Sequence, residues 1–122
     1  MESQKYDLII MGGGLAGLSA GVRACELGLS VALVEKGETD QYPCNSRFSG
    51  GVLHLAFQNI KDPADELARA IGEATGHYAD AELVTALSSQ SDRCATWLQQ
   101  QGARFIRAGQ VVWQQWVMAP PR

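Results

Sequence analysis

The feature that most constrains this fold is a glycine-rich turn between an apolar segment and a helical one. Residues 6–11 read Tyr-Asp-Leu-Ile-Ile-Met, a short apolar run without alternation. Such a run is typical of a strand covered on both faces of a parallel sheet. Three consecutive glycines, residues 12–14, end it. From Leu15 to Leu27, apolar and small residues recur at helical spacing, and Gly28 stands where a helix commonly terminates.

A second apolar run, Val31 to Val34, closes this segment and is followed by Glu35. A strand, a helix and a strand within about thirty residues predict a βαβ unit, in which the two strands are parallel. The sequence therefore predicts an α/β fold that begins with this unit.

The spacing of Gly12, Gly14 and Gly17 satisfies the pattern G-x-G-x-x-G between a strand and a helix. In that context the first glycine permits a tight turn, the second lets a pyrophosphate approach the backbone, and the third lets the helix pack against the sheet. The free amides and the positive dipole end of the helix bind phosphate without a lysine. Glu35 follows at the distance where a carboxylate accepts hydrogen bonds from an adenosine ribose and disfavours a 2′-phosphate. The motif alone leaves NAD and FAD open, and a plain glycine-rich turn is the structural alternative.

The segment from Lys36 to Gly51 is rich in Gly, Asp, Asn, Ser and Pro. This composition predicts an extended loop, with a small-residue turn of its own at residues 49–51.

Helices are predicted after this loop. Asp62, with a proline and two acidic residues directly after it, begins one helix that ends before Gly76. Asp80 begins another that ends at Gly102, and an interruption at residues 88–91 is left open.

Two further strands are predicted near the end of the sequence. Residues 104–106 and 110–118 have strand-like apolar patterns, and a Pro-Pro pair follows the second of them.

Four segments resemble the N-terminal region of the fumarate reductase and succinate dehydrogenase flavoprotein family. They are Tyr6 to Gly21, Val34 to Lys36, Asn45 to Gly51 and Thr96 to Phe105. Members similar to 3-ketosteroid dehydrogenases and tricarballylate dehydrogenase have the same loop spacing. The resemblance implies a partial Rossmann-type FAD-binding domain with helical additions.

The resemblance also implies which residues bind the cofactor. The backbone of residues 13–17 would hold the FAD pyrophosphate, Glu35 the adenosine ribose, and Lys36 would flank the adenine. The complete predicted set is Gly12, Gly13, Gly14, Leu15, Ala16, Gly17, Glu35, Lys36, Asn45, Ser46, Ser49, Gly50 and Gly51.

Within this set, Asn45 and Ser46 would reach the phosphate and ribityl region. Ser49 and the glycines at 50 and 51 would lie along the ribityl chain and the flavin edge, where missing side chains let backbone amides approach a flat ring. The family usually has a glycine pair before the asparagine, whereas this sequence has Pro43 and Cys44. No histidine stands at the family's covalent attachment position, so the FAD is expected to be non-covalent.

Composition excludes several classes of partner. The formal net charge is −3, and no run of Lys or Arg supplies the basic surface that nucleic acid or anionic lipid requires. The apolar run of the first strand is shorter than the roughly 18 residues of a membrane span. Three widely spaced cysteines match neither a disulfide framework nor a zinc site. We therefore expect a cytoplasmic protein without a structural metal.

Residues 1–51 are expected to form the βαβ unit and flavin loop, and residues 52–122 the helices and terminal strands. The family's catalytic residues and substrate-capping domain lie later in its sequence, so no catalytic residue is assigned here. We expect the remainder of a longer protein, or another chain, to complete the sheet, and this chain alone to bind FAD weakly and to be inactive. The reaction expected for the family is formation or reduction of a carbon-carbon bond next to a carboxylate or ketone. An NAD-binding module and a non-catalytic interaction subunit remain the alternatives.

Overall fold

The computed structural model describes residues 4–51, 61–107 and 116–119. The chain divides into two compact units, and the division falls between Gly50 and Gly51.

The first unit is built on a strand, a helix and a second strand. Strand β1 spans Leu8–Met11, helix α1 spans Leu15–Glu26 and strand β2 spans Val31–Val34. The strands pair in parallel, with Leu8 opposite Val31 and Met11 opposite Val34. The predicted βαβ unit is therefore confirmed, as is the predicted mixture of helix and strand around a small parallel sheet.

Strand β1 begins two residues later than predicted because Asp7 makes a different kind of contact. Its carboxylate accepts hydrogen bonds from the Ser30 amide at 2.9 Å and the Ser30 hydroxyl at 2.6 Å. The Asp7 amide in turn donates to the Ser30 carbonyl at 3.0 Å. The hydroxyl bond, followed by the amide bond, lowers the pKa of Asp7. This pair joins the two strands at their N-terminal ends.

Helix α1 packs on the face of the sheet that carries Ile10. The side chain of Ile10 lies beside Gly17 and Gly21, and Ile10 and Ala24 are both buried. The helix ends where Gly28 takes a φ of 81°, as its position after the helical pattern predicts.

The other face of the sheet is exposed. Ile9, Met11 and Val34 are 65%, 89% and 58% exposed, and alternation along each strand puts these residues opposite the Ile10 face. Apolar side chains of a parallel sheet are normally covered on both faces.

The segment after β2 differs from the predicted loop, because it contains a short helix, α2, at Asn45–Phe48. The Arg47 amide donates to the Cys44 carbonyl at 3.0 Å, and the Ser49 hydroxyl to the Ser46 carbonyl at 2.9 Å. These local bonds replace an open loop with one helical turn. Gly50, with a φ of 69°, follows it.

The described residues of the second unit form two helices and a small antiparallel sheet. Helix α3 spans Ala64–Ala74 and helix α4 spans Ala81–Gln100. Strands β3, Phe105–Ile106, and β4, Val117–Met118, pair antiparallel. The strand predicted at residues 110–118 is described only at its end, because residues 110–115 lie outside the described part of the chain.

Helix α4 runs through residues 88–91 without interruption. The hydroxyl of Ser88 donates to the Val84 carbonyl at 2.8 Å, and that of Ser91 to the Ser88 carbonyl at 2.9 Å. Both serines are buried, so these bonds satisfy their hydroxyls inside the helix. Asp80 caps the helix start, since its carboxylate accepts from the Leu83 amide at 3.0 Å.

Across the described ranges, no helix is both long enough and apolar enough to cross a membrane.

Candidate functional site

The glycine turn joins β1 to α1, and its backbone lies very close to the first turn of the helix. Gly12 has a φ of 101°, which favours glycine, and its amide donates to the Val34 carbonyl at 2.8 Å. A Cβ on Gly17 would overlap the Gly12 carbonyl oxygen. The turn and the first helical turn therefore approach each other as closely as only glycine allows.

Three amides at the start of α1 face no acceptor among the described residues of the first unit, whereas two neighbouring amides have one. The Leu15 amide donates to the Ser46 hydroxyl at 2.9 Å, and the Gly13 amide to a carboxylate described below. Within residues 4–51, no side chain or carbonyl accepts from the amides of Gly14, Ala16 and Gly17. The first amides of a helix have no partner inside the helix, and the dipole places partial positive charge there. This end of α1 is therefore suited to an anion.

Glu35 lies directly after β2 and contacts the glycine turn. Its Oε2 accepts from the Gly13 amide at 2.6 Å and its Oε1 from the Gly37 amide at 3.1 Å. The Gly13 bond first, and the Gly37 bond second, lower the pKa of Glu35, so the carboxylate is ionised at neutral pH. Each carboxylate oxygen has two lone pairs, which leaves room to accept from a ligand hydroxyl.

An open cleft of about 530 Å³ lies beside the turn. Its volume falls within the range of about 300 to 1,000 Å³ that is typical of small-molecule sites. The cleft is lined by Met11, Gly12, Gly14, Val34, Glu35, Lys36, Pro43, Cys44 and Asn45.

Five of the predicted cofactor residues share this cleft, and others lie next to it. Those five are Gly12, Gly14, Glu35, Lys36 and Asn45. Ser46 and Leu15 are joined to the same region by their hydrogen bond.

Gly13, Ala16 and Gly17 belong to the glycine turn and the start of α1, whereas the last three predicted residues lie further along the chain. Ser49 and Gly50 are exposed and directly follow α2. Gly51 is the first residue of the second unit, where its carbonyl accepts from the Met118 amide at 2.8 Å. The predicted contact of Gly51 with a flavin edge stays a prediction.

One residue that the sequence analysis missed contacts the glycine turn directly. The Tyr42 hydroxyl donates to the Gly13 carbonyl at 2.6 Å. The two residues are 29 positions apart, and no motif or periodicity links them. The available signal was that Tyr42 is one of two aromatic residues in a loop rich in polar residues and glycine.

No group of three or more His, Cys, Asp or Glu side chains in the described ranges is arranged to hold a metal ion.

Comparison with known proteins identifies the class of domain. Residues 7–120 match the family model described as an FAD binding domain. That match covers most of the chain, including both units.

Relatives with curated names include proteins named as dehydrogenases and one named as a reductase. One subunit of the anaerobic glycerol-3-phosphate dehydrogenase from Pectobacterium atrosepticum is 36% identical over 78 residues, which are 60% of this chain and 17% of that protein. The vinyl phenol reductase of Lactiplantibacillus plantarum is 26% identical over 122 residues, covering 92% of this chain and 24% of the reductase. The 3-oxosteroid 1-dehydrogenase of Mycolicibacterium smegmatis is 31% identical over 90 residues, covering 68% and 16%.

The chain therefore spans less than a quarter of the length of each of these relatives. No solved structure matches it at a comparable level of significance.

Proposed function

The chain belongs to the FAD-binding domain family, and from this membership we propose that the cleft beside Gly12 and Gly14 receives the diphosphate and adenosine of a non-covalent FAD. The observation that carries the proposal is the group of amides at Gly14, Ala16 and Gly17 that have no protein acceptor in the described first unit. They lie at the positive end of a helix dipole, where a diphosphate is stabilised.

The position of Glu35 supports the same ligand. Its ionised carboxylate lines the cleft and is joined to the turn through Gly13, so an adenosine ribose would find an acceptor next to the diphosphate amides. Lys36 lines the same cleft and would flank the adenine.

The loop after β2 would hold the rest of the cofactor. Asn45 lines the cleft, and Ser46 would contact either the diphosphate or the ribityl chain. The Ser46 hydroxyl accepts from the Leu15 amide, so a phosphate oxygen would share or replace that contact. Ser49, Gly50 and Gly51 would follow the ribityl chain to the flavin, in the order in which they leave α2.

We further propose that the complete protein is an oxidoreductase of the Rossmann-type flavoprotein class. When bound, FAD supplies acceptance or donation of a hydride, and the residues of this chain bind and orient it. A reaction at a carbon-carbon bond next to a ketone is supported by the relative named as a 3-oxosteroid 1-dehydrogenase. The relative named as a vinyl phenol reductase supports reduction of a carbon-carbon double bond but not a neighbouring ketone or carboxylate, because a vinyl group on a phenol is attached to an aromatic ring. The relative named as part of a glycerol-3-phosphate dehydrogenase supports only the broader class.

The exposed sheet face supports the proposal that further polypeptide completes the domain. Ile9, Met11 and Val34 form an apolar surface whose exposure to water is energetically unfavourable. The remainder of a longer protein, or another chain, would cover the part of this face that the cofactor leaves exposed, including Ile9, and would carry the substrate-capping domain. This chain alone would then bind FAD weakly and lack activity.

The proposal is tested by measuring FAD binding to the 122-residue chain. The chain is mixed with FAD, and bound flavin is titrated by fluorescence quenching and then identified by its absorbance after denaturation. We expect saturable FAD binding that NAD does not displace. Tighter binding of NAD than of FAD, or no flavin binding at all, would contradict the proposal.

A matched pair of variants locates the site. Glu35→Gln replaces a carboxylate that accepts from two amides, whereas Glu38→Gln changes an exposed carboxylate without such contacts three residues away. We expect Glu35→Gln to weaken FAD binding about tenfold, the effect of losing charge-assisted hydrogen bonds. Glu38→Gln is expected to bind as the unchanged chain does. Equal affinities for the two variants would remove Glu35 from the site.

A further inference from the structure

Tyr42 fills a space that two glycines leave open. An ideal Cβ on Gly13 would lie 2.6 Å from the Tyr42 hydroxyl and 2.8 Å from its Cζ. A Cβ on Gly37 would overlap the Tyr42 Cβ. Position 13 is free in the G-x-G-x-x-G pattern, so the motif does not explain its glycine. Contact with Tyr42 does explain it.

Tyr42 is itself held in place. It is half-buried, and the Arg47 guanidinium lies over its ring, 5.4 Å from the centroid. Arg47 also donates from Nη2 to the Asp40 carbonyl at 2.9 Å, which fixes the guanidinium. A cation over an aromatic face at this distance is attractive. The Tyr42 ring is thus positioned by its own loop as well as by the glycine turn.

The hydroxyl of Tyr42 then determines the orientation of one peptide group. It donates to the Gly13 carbonyl at 2.6 Å. Because the peptide is trans, the amide of Gly14 points away from that carbonyl and therefore away from Tyr42. Gly14 lines the cleft, whereas Gly13 and Tyr42 do not. With glycine on both sides, this peptide has little intrinsic preference of its own.

We propose that Tyr42 is a positioning residue: its hydroxyl fixes the Gly13–Gly14 peptide so that the Gly14 amide is directed to the cleft side of the turn. This inference rests on the proposed function for the identity of the ligand, because the Gly14 amide is one of those assigned to the FAD diphosphate. The hydrogen bond preorganises that amide, so that binding does not have to order it.

The first test needs no ligand. Tyr42→Phe removes only the hydroxyl and keeps the ring between the glycines and Arg47, so the fold is retained and the melting temperature serves as the check. Tyr78→Phe is the matched control, because Tyr78 is 96% exposed. In amide NMR spectra of the whole chain, we expect Tyr42→Phe to shift and broaden the Gly14 resonance and Tyr78→Phe to leave it unchanged. An unchanged Gly14 resonance in Tyr42→Phe would overturn the inference.

The second test separates the diphosphate from the nucleoside. Calorimetry compares the binding of ADP and adenosine to the unchanged chain and both variants. We expect Tyr42→Phe to weaken ADP binding about fivefold and adenosine binding hardly at all, since Glu35 is untouched. Equal losses for both ligands would indicate a merely structural role and overturn the inference. So would an unchanged affinity for ADP. If the unchanged chain bound neither ADP nor FAD, the proposed function would fail, while the Gly14 resonance would still decide the role of Tyr42.

Discussion

The two units differ in how far their described side-chain hydrogen bonds reach along the chain. In the first unit, side chains join distant positions: Asp7 with Ser30, Glu35 with Gly13 and Ser46 with Leu15, at separations of 23, 22 and 31 residues. In helices α3 and α4, the described side-chain hydrogen bonds span three or four residues.

This difference separates the parts of the chain that shape a site from those that support it. Long-range polar contacts in the first unit fix backbone amides relative to one another, which is what a phosphate site requires. Local side-chain hydrogen bonds in the second unit stabilise individual helices, which then pack through small and apolar side chains such as Leu67 and Ala95. An exposed ion pair also joins Lys61 to Asp92 of α4. We therefore expect substitutions in the first unit to change binding, and comparable substitutions in the second to change stability alone.

The largest predicted effect comes from Gly17, where the helix meets the glycine turn. In Gly17→Ala the new Cβ would overlap the Gly12 carbonyl, which is backbone and cannot rotate away. We expect a loss of roughly 2 to 3 kcal/mol in the free energy of unfolding, as for overpacked cores, together with loss of FAD binding. Thermal unfolding and flavin titration measure the two effects.

Gly21→Ala is the control for this prediction, because it changes the same helix one turn later. Its Cβ would lie 3.4 Å from the Ile10 Cδ1, an ordinary contact, and alanine favours a helix by about 1 kcal/mol over glycine. Gly21→Ala should therefore be neutral or stabilising and should keep FAD binding. If Gly17→Ala and Gly21→Ala had similar melting temperatures, the close approach of Gly17 to the Gly12 carbonyl would not limit the stability of the first unit. The contrast between the two units would then fail.

The same difference in sequence separation between hydrogen-bonded residues explains how much of each unit could be predicted from the sequence. The bounds of β2 and the start of α1 were predicted from local patterns, and so was the start of α4 after Asp80. The contacts of Tyr42 with Gly13 and of Ser46 with Leu15 were not, because no periodicity relates residues 29 and 31 positions apart. Sequence thus located the glycine turn and singled out Glu35, whereas the contact of Glu35 with Gly13 and the way the following loop closes on the turn required coordinates.

The next largest effect is expected at Asp80, which caps the start of helix α4 in the second unit. Asp80→Ala removes the side chain that accepts from the Leu83 amide at the start of α4, and should lower the free energy of unfolding by about 1 kcal/mol. Asp80→Asn keeps an acceptor of similar shape and should lose much less. Both variants should bind FAD as the unchanged chain does. Weakened binding in Asp80→Ala would contradict the division of roles between the units.

The smallest effect predicted is a dependence on acid that is confined to the first unit. Hydrogen bonds from Ser30 lower the pKa of Asp7, and those from Gly13 and Gly37 lower the pKa of Glu35. A carboxylate whose pKa is lower in the folded than in the unfolded protein adds stability above its unfolded pKa, near about 4, and loses it as the pH falls through the folded value. Water reaches both carboxylates, so screening should keep the effect below that of Asp80→Ala.

Amide hydrogen exchange measured residue by residue from about pH 6 to below about 3 tests this acid dependence. After correction for the intrinsic effect of pH on exchange, we expect amides in β1 and β2 to lose protection below pH about 4. Asp7→Asn removes one of the titrating groups and should flatten this loss, whereas Asp40→Asn changes a carboxylate without a described partner and should not. The test discriminates because the Asp7 and Ser30 contact joins the strands at one end and the Glu35 contact joins them to the turn at the other. If Asp7→Asn lost protection as steeply as the unchanged chain, titration of the Asp7 contact would not be the cause of the loss of protection in acid.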